Sequence, residues 1–147
     1  MEPFIKWRDE WRLGIEALDD QHRILSNSLN QLVQTCQGSD TLTDDEKAKR
    51  RKVLGELLDD LYRKTSEHFS YEEALMQKEA YPGYAAHARE HVMLLAELKS
   101  TFAERLKSGC CNMDPDILKS LKSWFIVHVS SSDREFASYM QTREAAE

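Results

Sequence analysis

Cysteine is sparse and poorly spaced for metal or redox chemistry. Cys36, Cys110 and Cys111 form no C-x-x-C pair, so they read as free thiols of a reducing compartment. Basic charge is lacking too. Asp and Glu outnumber Lys and Arg by 26 to 20, for a net charge of -6. That balance leaves no basic face for nucleic acid or an anionic membrane surface. No apolar run approaches the roughly 20 residues of a membrane span. The first residues, Met1 to Trp7, contain no basic segment followed by an apolar stretch, so no secretory signal is expected and the cytoplasm is the default location.

Breakers are also few, three prolines and five glycines, and they fall where helices should end. What is present is ordinary for a globular chain: 147 residues, 41% hydrophobic and 31% charged, enough for one domain with a core that needs no disulfide. Leu18, His22, Leu25, Leu29, Leu32 and Val33 recur at helical spacing, with Gly38 as a stop. Thr43 and Glu46 form a capping box, opening a pattern that runs through Val53, Leu54, Leu57, Leu58, Leu61, Tyr62, Thr65, His68, Phe69, Glu72, Leu75 and Met76 to Tyr81-Pro82-Gly83. A third pattern carries His87, His91, Leu94, Leu95, Leu98 and Phe102 before Gly109. Asp114-Pro115 then reads as an N-cap and first helical residue, leading into Leu118, Leu121, Trp124, Phe125 and His128. The expected fold is all-α, a single domain over 1–147. It consists of an antiparallel up-down-up-down four-helix bundle (helices at about 17–37, 44–80, 84–108 and 115–140) behind an N-terminal arm, 1–16. Phe4, Trp7, Trp11, Leu13 and Ile15 make that arm too aromatic to stay solvated.

All five histidines, His22, His68, His87, His91 and His128, fall on or beside these apolar faces. A buried ring needs a hydrogen-bond or metal partner. In an antiparallel bundle the starts of helices one and three share an end with the finishes of two and four. At about 1.5 Å rise per residue the five therefore lie at similar depth. His68 and Glu72 are four apart, as are His87 and His91, so each pair shares a face. His128 and Asp133 are five apart, which on a regular helix turns them about 140° from one another. They converge only if the helix widens into a π-bulge, and Val129-Ser130-Ser131-Ser132 is a weak helical stretch that would accommodate one.

Taken in order, Asp19-Asp20-Gln21-His22, His68-Phe69-Ser70-Tyr71-Glu72-Glu73, His87-x-x-x-His91 and His128-Val129-x-x-x-Asp133 resemble the ligand motifs of the hemerythrin family. The run from Trp7 through Leu13-Gly14-Ile15 to Asp19, and Tyr81-Pro82, resemble its bacterial members. The resemblance implies two iron ions: one held by His87, His91 and His128, the other by His22 and His68. Glu72, Asp133 and an oxo or hydroxo group would bridge them. Six ligands on one iron and five on the other leave one open position, as a small-ligand site requires. Two ferrous ions against two carboxylates and one hydroxide leave about +1 in an apolar interior. Leu25, Phe69, Trp124, Phe125 and Val129 match the family's apolar oxygen pocket. They supply no acid, base or hydroxyl, which favours reversible binding by two-electron transfer over catalytic turnover.

The function so implied is an oxygen carrier, store or sensor rather than an enzyme. Its partners would be dioxygen and, downstream, oxygen-using enzymes. The charged outer helix faces favour a monomer. A hemerythrin-like enzyme of nitric oxide or peroxide chemistry, using the same ligands, remains the alternative. Ferritin-like oxidases fit poorly, because their sites use Glu-x-x-His pairs. The residues three before the histidines here are Asp19, Thr65, Tyr84, Ala88 and Phe125. Zinc fits poorly as well, since seven His and carboxylate ligands exceed a tetrahedral demand.

Overall fold

The computed structural model describes residues 4–35, 42–102, 104 and 115–146. Cys36, Cys110 and Cys111, the stops expected at Gly38 and Gly109, and the cap expected at Asp114 lie outside the described residues. The described chain is helical, with no strand among the described residues. Its elements are α1 (Glu16–Thr35), α2 (Asp44–Lys78), α3 (Tyr84–Glu97, continued by a π turn over Leu98–Phe102), α4 (Pro115–Val127), a π segment (His128–Ser132) and α5 (Asp133–Ala146). The last three follow one another without a break, so the architecture is an antiparallel four-helix bundle. No described helix is long and apolar enough to cross a membrane.

Local chemistry sets the helix limits. Glu46 N–H donates to Thr43 Oγ1 at 3.2 Å and Thr43 N–H donates to Glu46 Oε1 at 3.4 Å, closing the capping box that starts α2. At its other end Ala80 adopts a left-handed φ of 52°, which a side chain with a Cβ takes only at a cost. That turn is held from outside: Tyr139 Oη donates to the carbonyls of Glu79 at 2.8 Å and Ala80 at 3.2 Å, and Arg143 Nη1 also donates to Glu79 O. In front of α1, the buried Asp19 carboxylate accepts from Leu13 N–H at 2.7 Å and Gly14 N–H at 3.2 Å. Gly14 has φ +84°, and an added Cβ would meet Gln141 Nε2 at 2.8 Å, so any other residue would be strained at the bend. Gln141 Nε2 in turn donates to Leu13 O at 2.8 Å, fastening the arm to α5.

The core is divided into two apolar layers. The larger joins Leu25, Leu29 and Leu32 of α1 with Leu54, Leu58 and Leu61 of α2, Leu98, and Leu121 and Phe125 of α4. Ile5 of the arm is buried in it, and Phe4, Trp7 and Trp11 pack against it. The smaller joins Leu13, Leu18, Met76, Phe136 and Ala137, with Tyr81, Tyr84 and Tyr139 around it. Val53 falls off the buried stripe of α2, 45% exposed. Between the two layers lie His22, His68, Glu72, His87, His91, His128 and Asp133. The smaller layer therefore closes one end of the bundle over this polar band.

Phe136 is fully buried in that closing layer. Phe136→Ala is expected to destabilise the chain by about 3–5 kcal/mol, whereas Val53→Ala on the outer face should cost under about 0.5 kcal/mol. Equilibrium urea unfolding of the two variants checks both values, and similar midpoints would contradict the layered core.

Candidate metal centre

All seven residues singled out by spacing are buried: His22, His68, Glu72, His87, His91, His128 and Asp133, with Glu72 and Asp133 at 0% exposure. α1 brings His22, α2 His68 and Glu72, α3 His87 and His91, and the fourth rod His128 and Asp133. The widened turn expected between the last two is present: Asp133 N–H donates to the carbonyl of His128, five residues back. Ser130 Oγ donates to Ile126 O at 2.7 Å, one of the side-chain bonds that supports an interrupted ladder. This turn rotates Asp133 onto the same side as His128. Sequence spacing gave no sign of the other π turn, Leu98–Phe102.

The side chains converge. His87 Nε2 stands 2.7 Å from Glu72 Oε1 and 3.0 Å from Asp133 Oδ1, and His128 Nε2 lies 3.0 Å from Asp133 Oδ1. His91 Nε2 is 3.1 Å from Glu72 Oε1, His22 Nε2 2.9 Å from Asp133 Oδ2, and His68 Nε2 3.7 Å from Glu72 Oε2. Short distances do not make all of these hydrogen bonds. His68 Nε2, His87 Nε2, His128 Nε2, Glu72 Oε2 and Asp133 Oδ1 are buried with no hydrogen-bond partner. Nitrogens and oxygens that crowd together without pointing hydrogens at one another are disposed as ligands around cations. They resolve into two overlapping groups: Glu72, His87, His91, His128 and Asp133, and His22, His68, Glu72 and Asp133. Within each, the potential ligand atoms lie within 4.8 Å of one another. The two carboxylates belong to both groups.

Without metal, protons take up part of the charge. Burial opposes a charged His87, but Asp133 and Glu72 beside it raise its pKa to about 9. Burial likewise opposes a charged His128, and Asp133, Glu90 and Glu72 raise it to about 10. Burial pushes the Asp133 carboxyl up, yet His128, His22 and His87 together hold it well below the ordinary carboxylate range. Burial, then the neighbouring His22, lower His68 to about 3, so it is neutral with a lone pair to offer. Cations entering this band therefore displace protons from His87 and His128.

Outside the band the other ring nitrogens of three histidines find partners that sequence spacing did not reveal. His91 Nδ1 lies 2.9 Å from Glu73 Oε2, His128 Nδ1 2.8 Å from Glu90 Oε1, and His68 Nδ1 2.5 Å from Gln21 Oε1. The hydrogen bond from His128 is the main reason that Glu90 drops to about 2. On the side facing the larger apolar layer, Leu25, Phe69, Trp124, Phe125 and Val129 line one small cavity together with His22, His68 and His128. Thr65 and Leu94 also line it, so a threonine stands where sequence reading expected no hydroxyl-bearing residue. The surface facing the cavity is nonetheless apolar, and its free volume, about 10 Å³, admits one water-sized molecule. Trp124 is set in this wall by its Nε1–H, which donates to Leu94 O at 3.0 Å.

Fold and site together define a cation-binding helical bundle with a buried histidine–carboxylate centre. The sequence profile of the hemerythrin HHE cation binding domain matches residues 13–140, and the chain belongs to that family. A bacteriohemerythrin of Stenotrophomonas maltophilia is 28% identical over 92% of this chain and 80% of its own length. Hemerythrin subunit 2 of Golfingia vulgaris is 26% identical over 92% and 91% respectively. A crystal structure of a hemerythrin point mutant superposes with a TM-score of 0.74 at 24% identity, covering 93% of this chain and 97% of the other, and shows the shared fold. Membership sets the class of function, that of a cation-binding domain.

The π segment has a measurable consequence. In metal-free protein, backbone amides of Val129 to Asp133 should exchange with solvent faster than those of Leu121 to Phe125, because their ladder is interrupted and no cation pins His128 to Asp133. Iron loading should reduce that difference. Hydrogen-exchange mass spectrometry checks it, and uniform protection along the rod before loading would contradict it.

Proposed function

We propose that the chain binds dioxygen reversibly at a pair of iron ions, as a carrier, store or sensor and not as an enzyme. The donor set fits iron: five imidazoles and two carboxylates, too many for one tetrahedral ion. On this reading His87, His91 and His128 hold one iron and His22 and His68 the other. Glu72 and Asp133 reach both, since each carboxylate has two oxygens facing the band. Two ferrous ions would supply the two electrons that dioxygen takes up on binding and returns on release.

One observation carries the reading. The cavity is lined by both histidines of the half with fewer ligands, His22 and His68, and by His128 of the other half, and its volume suits a single small molecule. What the residues around it do is exclude. Leu25, Phe69, Trp124, Phe125 and Val129 keep water and its protons from the open side, and the layer around Phe136 closes the end of the bundle. A dry, apolar surround disfavours proton delivery to reduced oxygen and hence its loss as peroxide. Phe69 also stacks on His91 with centroids 3.8 Å apart and planes 5° from parallel, an apolar support for a ring that also meets Glu72 and Glu73.

The direct test is addition of oxygen to the anaerobically reduced, iron-loaded chain. Metal analysis should give about two irons per chain, and a visible absorption band should appear with oxygen and vanish on degassing, through repeated cycles. Oxidation at each addition with released peroxide would favour the enzymatic alternative, and one tightly held zinc would overturn the assignment.

The ligand variants should not behave alike. Glu72→Ala or Asp133→Ala removes a ligand from both groups, so each is expected to lose much of the second metal. His22→Ala or His68→Ala should empty mainly the two-histidine position and leave about one iron bound. Iron content per chain distinguishes these outcomes, and equal depletion in all four variants would contradict the partition.

A further inference from the structure

We propose that Glu73 and Glu90 are positioning residues that lock His91 and His128 into their metal-binding tautomers and make the three-histidine half of the centre the tighter and more electron-rich half, with Gln21 a neutral counterpart on the other. The inference rests on the two-metal reading above. It starts from a difference between the outward-facing nitrogens. His91 Nδ1 and His128 Nδ1 meet carboxylates, at 2.9 and 2.8 Å, and both histidines belong to the three-histidine group. In the two-histidine group His68 Nδ1 meets the amide oxygen of Gln21 at 2.5 Å, and His22 Nδ1 is buried with no partner.

The chemistry of the acceptors separates the halves. An ionised carboxylate has no hydrogen to give, so Nδ1 of His91 and of His128 must carry the proton, leaving the Nε2 lone pair for a metal. An amide both accepts and donates. Gln21 therefore does not impose a tautomer on His68, and no acceptor behind His22 imposes one through its Nδ1. A carboxylate behind an imidazole also raises its basicity as a ligand, and a more basic donor set favours the ferric over the ferrous state. Neither glutamate faces the centre itself, and each adds its charge through one imidazole.

The fold builds these contacts deliberately. Ser132 Oγ donates to the second oxygen of Glu90 at 2.6 Å. Ser132 lies in the π segment, so the wide turn that swings Asp133 inward also fastens the carboxylate behind His128. Glu73 follows Glu72 directly on α2, so one stretch of helix faces the centre with the first and supports His91 with the second. Both glutamates keep some exposure, 28% for Glu73 and 37% for Glu90, so their replacement by glutamine leaves the core packing in place.

The experiment is anaerobic chelator competition on the iron-loaded full chain, together with potentiometry of the same samples. The wild type should release iron in two steps. Glu73→Gln and Glu90→Gln should each weaken the tighter step by about 10–100-fold while changing the weaker step by no more than about twofold, and should raise the reduction potential. Gln21→Glu should do the opposite, tightening the weaker step and lowering the potential. A general structural defect would move both steps together and would not be reversed in sign by Gln21→Glu. Equal weakening of both steps in the two glutamine variants, or unchanged potentials in all three, overturns the proposal while the two-metal reading stands. A wild-type chain that holds a single iron overturns both.

Discussion

Glu72 and Asp133 are carboxylates with no exposure, and the rest of the bundle's centre is arranged around that burial. Removing two negative charges from water costs several kcal/mol each even after relaxation. The offsetting charge has to lie close, and among the described residues no lysine or arginine is buried. Imidazoles are what surround them, at 2.7–3.7 Å. Protons on His87 and His128 neutralise the pair in the metal-free chain, but only by leaving several polar atoms unpartnered. Cations between the rings satisfy those atoms and the charge at once. The two apolar layers follow from the same demand, because a polar band can stay dry only if it is closed both toward the loops and along the bundle.

Much of this was legible in the sequence, for a specific reason. His68 with Glu72 and His87 with His91 are pairs on one helix, where the chain itself fixes the geometry. The shared depth of all five histidines follows from helix lengths and antiparallel order. Even the irregular turn at His128 was readable, since a five-residue spacing cannot converge on a regular helix. The supporting residues were not legible. Glu73 meets a histidine of α3, Glu90 one of the fourth rod and Gln21 one of α2. Such pairs depend on how helices rotate against each other, which no local spacing records. The same limit explains Thr65 and Leu94, which look like any other members of an apolar stripe until the wall of the cavity is assembled. Val53 was read into that stripe by a spacing that the rotation of α2 does not honour.

Asymmetry is the other thread, and it originates in helix geometry rather than in the choice of ligands. α3 contributes two histidines from adjacent turns to one side of the centre. The fourth rod adds His128 to that side, whereas the opposite side draws one histidine from each of α1 and α2, so the halves hold three imidazoles and two. The cavity is lined by both histidines of the side with fewer and by His128 of the other. Adding a third imidazole there would fill the space bounded by Leu25, Phe69 and Phe125, while removing one from the α3 side would leave Glu72 and Asp133 short of a partner. A place for a small guest and a fully surrounded carboxylate pair are thus two outcomes of one unequal distribution. The acceptors behind the rings follow the same division, anionic where the imidazoles are many and neutral where they are few.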